Sequence, residues 1–371
     1  MGSGAAVTEA PAMTTEQYYT IPPNSLDWNL EQKFTTKFRW EYQDGRESLL
    51  SLYEKGKIKQ WNASERIDWS QELDPENPEQ MPDESMPIFG SAPYNRMTEK
   101  EKVEARTHFQ AWQLSQFMHG EQGALICTAK IVQQVPGIDA KFYGATQVID
   151  EARHVEAYSR LLHEKFQLAY PITPTLKNLL QDVLNDSRWD MTYLGMQVLI
   201  EGLALAAFAS IRDTAQNPLA ASVNAYVMQD EARHVAFGRL SLRDYYPRLS
   251  QAERDEREEF AVEACYAMRD RFLAEEVWER LGLPVDECAE HTSNSSFMQG
   301  YRSDLFTRIV PMMKDIGLWG PKIRKAYEQM GIIGYCDTDV EQLSANDQVV
   351  AEQFDRDIRA RMREIESVAA G

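Results

Sequence analysis

Six residues in two matched sets have the types and spacing of a metal centre. Glu121, Glu151 and His154 form one set; Glu201, Glu231 and His234 form the other. The interval from first to second glutamate is the same in both sets, and in both the histidine stands three positions further on. Every member of the first set maps onto its counterpart by one constant offset: 121 to 201, 151 to 231 and 154 to 234. The pentapeptide DEARH occurs at 150–154 and again at 230–234. Residues three apart share a helix face, so each Glu-x-x-His pair presents two ligand side chains to one side. Glu121 lies within an apolar stripe of Leu114, Phe117, Met118, Leu125 and Val132, and Glu201 within one of Met191, Leu194, Val198, Leu205 and Phe208. A carboxylate facing an apolar core costs on the order of several kcal/mol. Four converging carboxylates would also repel one another and take up protons. Two divalent cations remove both costs, since four carboxylates and two neutral imidazoles balance two such ions. Carboxylate oxygen and imidazole nitrogen suit iron or manganese, and the absence of thiolates from the set argues against structural zinc. The alternative is a solvated charged face, and the two interrupted apolar stripes speak against it.

Four further charges flank the pairs. Asp150 and Asp230 are placed to accept the second ring N–H of the histidine on the opposite helix, which would fix tautomer and orientation. Arg153 and Arg233 are placed to neutralise those aspartates. His119 lies two positions from Glu121, points to another face and reads as packing. Cys127 reads as buried and inert.

The elements that must position these groups are helices. From about residue 98 the apolar period is helical, punctuated by Pro and Gly at 136–137, 171–174, 217–218, 247 and 283–284. The pattern predicts helices over 98–134, 138–168, 175–212, 219–245, 250–282 and 293–316, with shorter pieces over 320–331 and 340–368. No period-2 alternation suggests a sheet. The expected fold is all-α: a four-helix bundle made of two duplicated hairpins, with additional helices. Residues 1–97, rich in Pro, Asn, Asp and Ser and carrying Trp28, Trp40, Trp61 and Trp69, read as an extended N-terminal wrap. Residues 98–335 form the di-metal bundle, and 336–371 a charged, solvated C-terminal helix or tail.

Composition narrows the partners. The 371 residues carry 39 Lys+Arg against 58 Asp+Glu, a net charge of −19, which argues against nucleic acid and against an anionic membrane surface. No run of about 18 apolar residues occurs, so no membrane span is expected. The N-terminus lacks a basic region and an apolar run, so no secretory signal is expected. Four dispersed cysteines without a CxxC pair suggest neither a disulfide framework nor a structural zinc site. A soluble, cytoplasmic protein is the resulting expectation. No Gly-rich phosphate loop, Rossmann fingerprint or Ser-His-Asp set is visible, so electrons would have to come from a partner donor protein or a co-substrate.

The twin motifs resemble those of the ferritin-like di-iron carboxylate superfamily at its oxygen-activating end, over residues 110–245. Gly120-Glu121 with Ala124, and DEARHVAFG at 230–238, are similar to the hydroxylase subunit of bacterial multicomponent monooxygenases. The layout is also similar to that of p-aminobenzoate N-oxygenase-type enzymes. The resemblance implies a ferritin-like bundle holding two Fe ions (or Mn/Fe), with Glu121, Glu151, His154, Glu201, Glu231 and His234 as ligands and Glu151 and Glu231 bridging. It implies reductive O₂ activation followed by oxidation of a small-molecule substrate: hydroxylation, N-oxygenation, desaturation or halogenation. A substrate pocket lined by Ala124, Leu125, Leu205 and Phe208 and a homodimer are further expectations. Leu205 replaces the threonine of the multicomponent hydroxylases, and Val227 replaces an additional histidine of the N-oxygenases; each counts against its subclass. Tyr158, one turn after His154, stands where ribonucleotide reductase small subunits keep a radical tyrosine, which makes a radical-generating subunit the alternative. The near-identity of the two DEARH motifs argues against it. A non-enzymatic metal-binding protein is a third reading.

Overall fold

The computed structural model describes residues 19–20 and 27–370, and among these the regular structure is helical apart from an isolated bridge between Tyr19 and Ala169. Helix α1 is Glu47–Ile58. The bundle consists of α2 (Glu99–Gln134), α3 (Ile138–Arg160, prolonged by a π-helical turn Leu161–Phe166), α5 (Trp189–Thr214) and α6 (Pro218–Arg243), with α4 (Pro174–Asn185) in the crossover. Short connections at 135–137 and 215–217 make α2–α3 and α5–α6 antiparallel hairpins, and α3 packs on α6. Local chemistry sets the starts. Thr98 and Glu101 form a capping box on α2, while Asn217 accepts the Leu219 and Ala220 N–H groups ahead of Pro218 on α6. Close approach of α6 to α5 requires Gly238, where a Cβ would lie 2.6 Å from that of Gln197.

Three predicted helices are broken. The run over 175–212 divides at 186–188 into α4 and α5, because the Asp186 carboxylate captures both the backbone N–H and the guanidinium of Arg188. The buried Lys130 ammonium closes α4 by donating to the carbonyls of Val183, Leu184 and Asp186 at 3.2, 2.8 and 2.6 Å. The run over 250–282 becomes α7 (Gln251–Asp270) and a short helix Glu275–Arg280, separated where Ala274 takes a left-handed φ of 52°. The run over 293–316 becomes Ser296–Asp304 and Ile309–Asp315.

Helix α5 is long and apolar enough by composition to cross a membrane, although the sequence shows no unbroken apolar run; 78% of that window is buried inside the bundle. Its neighbours α2, α6 and α7 supply the apolar surroundings that a bilayer would otherwise provide. Residues 27–46 lack regular structure, with Lys37 N–H donating to the Gln133 carbonyl at the end of α2. Helix α1 then lies against α3 and α6. The remainder of the predicted wrap, residues 1–18 and 21–26, lies outside the described residues. The C-terminal helix α8 (Val340–Ala370) packs against α6 instead of standing in solvent. Ala351 on it is buried, Asp347 pairs with Arg212 and Arg308, each at 2.7 Å, and Asp355 pairs with Arg66 at 2.9 Å.

Lys130→Met keeps the aliphatic stem and leaves three carbonyls without their donor. We expect a loss of about 2–3 kcal/mol, read as a lower urea midpoint with an unchanged slope.

Candidate metal centre

The bundle brings all six sequence-selected groups into its interior. Glu121 comes from α2, Glu151 and His154 from α3, Glu201 from α5, and Glu231 and His234 from α6, and none is more than 5% exposed. Two sets of ligand atoms converge within 4.8 Å: Glu121, Glu151, His154 and Glu231 in one, and Glu151, Glu201 and His234 in the other. The Nδ1 atoms of both histidines face this space. His154 Nδ1 lies 3.1 Å from Glu121, 3.3 Å from Glu151 and 3.1 Å from Glu231. His234 Nδ1 lies 3.1 Å from Glu151 and 3.2 Å from Glu231. Glu151 and Glu231 thus each touch both imidazoles, so they occupy the middle of the cluster. A π-helical stretch, Tyr193–Ile200, immediately precedes Glu201 and shifts the register of α5 just before this carboxylate.

The electrostatics are those of a crowded, buried cluster of acids and imidazoles. Burial, with Glu231 close by, pushes the Glu121 carboxyl up to about 8. Burial and the Glu231 and Glu151 carboxylates push Glu201 well above the usual range. Burial acts the same way on Glu151, but His234 and His154 outweigh it and hold that group low. Desolvation would lower both imidazoles, yet the surrounding carboxylates raise them well above their ordinary value. One oxygen each of Glu151, Glu201 and Glu231 is buried without a hydrogen-bond partner. Unsatisfied buried carboxylate oxygens beside imidazole nitrogens are the donor set that a hard or borderline divalent cation requires.

The flanking charges form a crossed network. His154 Nε2 lies 3.1 Å from Asp230 of the other hairpin, and His234 Nε2 lies 3.1 Å from Asp150. Arg153 donates to both Asp150 and Asp230, at 2.5 and 2.7 Å, while Arg233 donates to Asp230 and lies 3.7 Å from Asp150. Three partners escaped the sequence reading. Trp61 Nε1–H donates to Asp230 at 2.7 Å, and the Gln60 side chain joins Asp150 at 2.7 Å to Arg153 at 2.8 Å. Both lie in the N-terminal segment, and no local pattern ties them to α3 or α6. Gln147 Nε2–H donates to Glu151 at 2.9 Å and Glu201 at 3.0 Å. Its position one turn before Glu151 was the available signal.

A narrow cavity of ≈ 30 Å³, room for about two waters, adjoins the cluster. The internal duplication lines it: Gly120 and Ile200, Glu121 and Glu201, and Ala124 and Ala204 are equivalent positions of the two repeats. Phe208 also lines it, so of the expected pocket residues Ala124 and Phe208 are present. Leu125 and Leu205 are absent, since the cavity follows the positions three, not four, beyond each glutamate; Leu125 is half-buried and Leu205 packs in the main core. Tyr158 is fully buried between Phe117 and Phe208, with ring centroids 5.8 Å from each, and its O–H donates to Asn224 at 3.0 Å. His119 Nε2 lies 2.9 Å from the Tyr170 carbonyl, away from the cluster.

A family model described as "P-aminobenzoate N-oxygenase AurF" matches residues 42–317. Among solved structures, the chain is similar to an R2-like ligand-binding oxidase mutant with an anaerobically reconstituted Mn/Fe cofactor, at 16% identity and a TM-score of 0.43, covering 76% of this chain and 96% of that one. A second mutant of such an oxidase shows 17% identity and a TM-score of 0.44, covering 76% and 95%. No curated protein matches the chain. The family match corrects the objection drawn from Val227, which is buried apolar core and offers no ligand atom. Since the matched span takes in both hairpins, all six clustered residues and α1, the chain belongs to the p-aminobenzoate N-oxygenase family of di-iron oxygenases.

Proposed function

We propose that Glu121, Glu151, His154, Glu201, Glu231 and His234 hold two metal ions, Fe/Fe or Mn/Fe, and that the protein uses O₂ to oxidise a small organic substrate admitted to the adjoining cavity. The observation that carries this reading is the convergence of four buried carboxylates and two imidazole Nδ1 atoms with three carboxylate oxygens left unsatisfied. A bound metal pair would supply the reduction of O₂ and the oxidising power delivered to substrate. The family's name puts N-oxygenation of an amine first among the outcomes. Electrons would come from a separate donor protein.

The chain's own residues do the positioning. Asp150 and Asp230 accept the Nε2–H of the opposite histidine, which aims each Nδ1 at the cluster and leaves the Nδ1 proton as the one that a metal ion would displace. Arg153 and Arg233 offset the aspartates' charge, so that each remains an acceptor and does not draw off the histidine proton. Gln147 spaces Glu151 from Glu201 by donating to both. Phe117, Leu176, Met196, Ile200 and Phe208 line the cavity with hydrocarbon and limit the water beside the reacting atoms.

Elemental analysis after anaerobic Fe(II) loading and desalting should find about two metal ions per chain, falling clearly in Glu121→Ala. The reduced, loaded protein should then couple O₂ uptake to oxidation of an arylamine such as p-aminobenzoate; uptake with no oxidised product from any amine offered would refute N-oxygenation. Replacing Asp150 or Asp230 by Asn should weaken Mn(II) affinity about 10–100-fold while leaving the helix content intact, as read by titration and circular dichroism. The pH dependence has a definite sign. In the metal-free cluster His154 and His234 are held protonated and the Glu121 and Glu201 carboxyls are raised, Glu121 to about 8, so metal must displace protons. Mn(II) affinity should therefore rise between about pH 6 and about pH 8 with proton release on loading, and a flat profile would contradict it.

A further inference from the structure

Glu79 is a buried acid that no other group answers. It is 0% exposed, and neither of its carboxyl oxygens has a hydrogen-bond partner among the described residues. The groups facing it are few and uncharged. From α2, the Gln110 side chain accepts the Glu79 backbone N–H at 3.0 Å and donates to Asn77. From α3 and the helix Ser296–Asp304, Tyr158 and Tyr301 feel its charge, and burial keeps both phenols protonated. No cation acts on it: Arg106 serves the Glu76 carbonyl and Asp83, and Arg271 acts on Tyr301. On its own segment, Asp74 accepts the Glu76 and Asn77 N–H groups, while Glu76 and Asp83 are exposed. An ionised carboxylate without a partner is costly at such a site, and burial pushes the group up to about 8.

The segment that carries Glu79 straps two parts of the bundle together. Its Glu79 N–H is bonded to α2 through Gln110, and its Glu79 and Gln80 carbonyls accept the Asn217 and Gln216 N–H groups of the α5–α6 turn at 3.2 and 3.3 Å. The Asn217 side chain adds a bond to the Glu72 carbonyl at 3.1 Å. Gln80, beside the buried acid, holds a left-handed φ of 53°, which an L residue adopts at a cost. Further along the same segment, Met81 and Ser85 wall an apolar hollow that reaches the surface at Phe297. That hollow shares Trp112, Gln113 and Phe272 with a tighter one, which in turn shares Gln116 and Phe117 with the cavity beside the cluster. The segment thus stands at the solvent end of a row of hollows that leads inward.

We propose that residues 72–85 form a pH-released strap: protonated Glu79 keeps it closed over the outer hollow, and ionised Glu79 lets it open. The device governs entry to the hollows, so it goes beyond the di-metal reading and does not require it. Its sign is fixed. Closed, the acid keeps its proton up to about 8; open and solvated, it ionises in the ordinary carboxylate range, about 4.3. Opening therefore releases a proton between those limits. The advantage of the closed form is fully present below about pH 4, falls as pH rises, and levels off above about pH 8. Inside that window opening grows about tenfold per pH unit.

The test is residue-resolved amide hydrogen exchange on the full chain, read as protection factors so that the intrinsic pH dependence of exchange drops out. The Glu79, Gln216 and Asn217 amides report the strap, and Val135, bonded to Ile131 at the far end of α2, is the control. From pH 6 to pH 7 the three strap amides should lose protection about tenfold while Val135 keeps its own. Glu79→Gln has the same size and no charge, and its profile should be flat, with circular dichroism and melting temperature at pH 6 checking the fold. A second probe is Ser210→Cys on the wall of the outer hollow, alkylated with uncharged iodoacetamide. Its labelling rate, divided by that in the Glu79→Gln background at the same pH, should also rise about tenfold over this interval. A flat wild-type profile overturns the proposal, and it does so even if the Gln variant fails to fold. A slope that persists in Glu79→Gln overturns it too, since another group would then carry the proton. Strap amides that open while the labelling ratio stays constant overturn the role as cover of the hollow.

Discussion

The structure turns on one constraint: six ionisable side chains are held in the middle of an apolar bundle, and their charges must be balanced there. Four buried carboxylates cannot all ionise side by side, and the cluster's distorted proton affinities express that conflict. Protons on Glu121, Glu201 and the imidazoles are one resolution, and two divalent cations are the other. Exchange between these two states would link metal affinity to pH and to folding.

Balancing the cluster reaches well beyond the six groups. Each histidine is oriented by an aspartate from the opposite hairpin, and each aspartate is held by arginines, so the two halves of the bundle are tied across the cluster itself. Trp61 and Gln60 extend the network into the N-terminal segment, which becomes part of the centre's support even though it supplies no clustered ligand atom. Arg153 also lies over the Trp61 ring at 4.6 Å, adding a cation–π contact to the same junction.

The internal duplication explains the symmetry of the cluster and also shows where function departs from it. The first- and third-helix glutamates, and the residues one before and three after each, line the cavity as pairs. Gln147 has no polar counterpart, because the equivalent position of the second repeat is Val227. Arg271 lies outside the duplicated region, so the cavity gains its one-sided polarity from a part of the chain with no duplicate.

Ligand types, their helical spacing and the repetition of the whole motif determine the cluster in the sequence alone, because helix geometry converts spacing directly into a shared face. The all-α bundle and its hairpins follow from the same periodicity. Breaks inside helices were not legible: Asp186 stops α4 through hydrogen bonds to Arg188, and Ala274 takes a left-handed conformation that its side chain does not advertise. C-terminal helix α8 reads as solvated by its charge, yet ion pairs to Arg212, Arg308 and Arg66 seat it on the molecule. Which side of each glutamate faces the cavity was decided by packing, so Ala124 and Ala204 line it and Leu125 and Leu205 do not. Trp61, Gln60 and Arg271 meet the centre only through tertiary contact. Spacing along one helix carries no information about residues brought in from elsewhere in the chain.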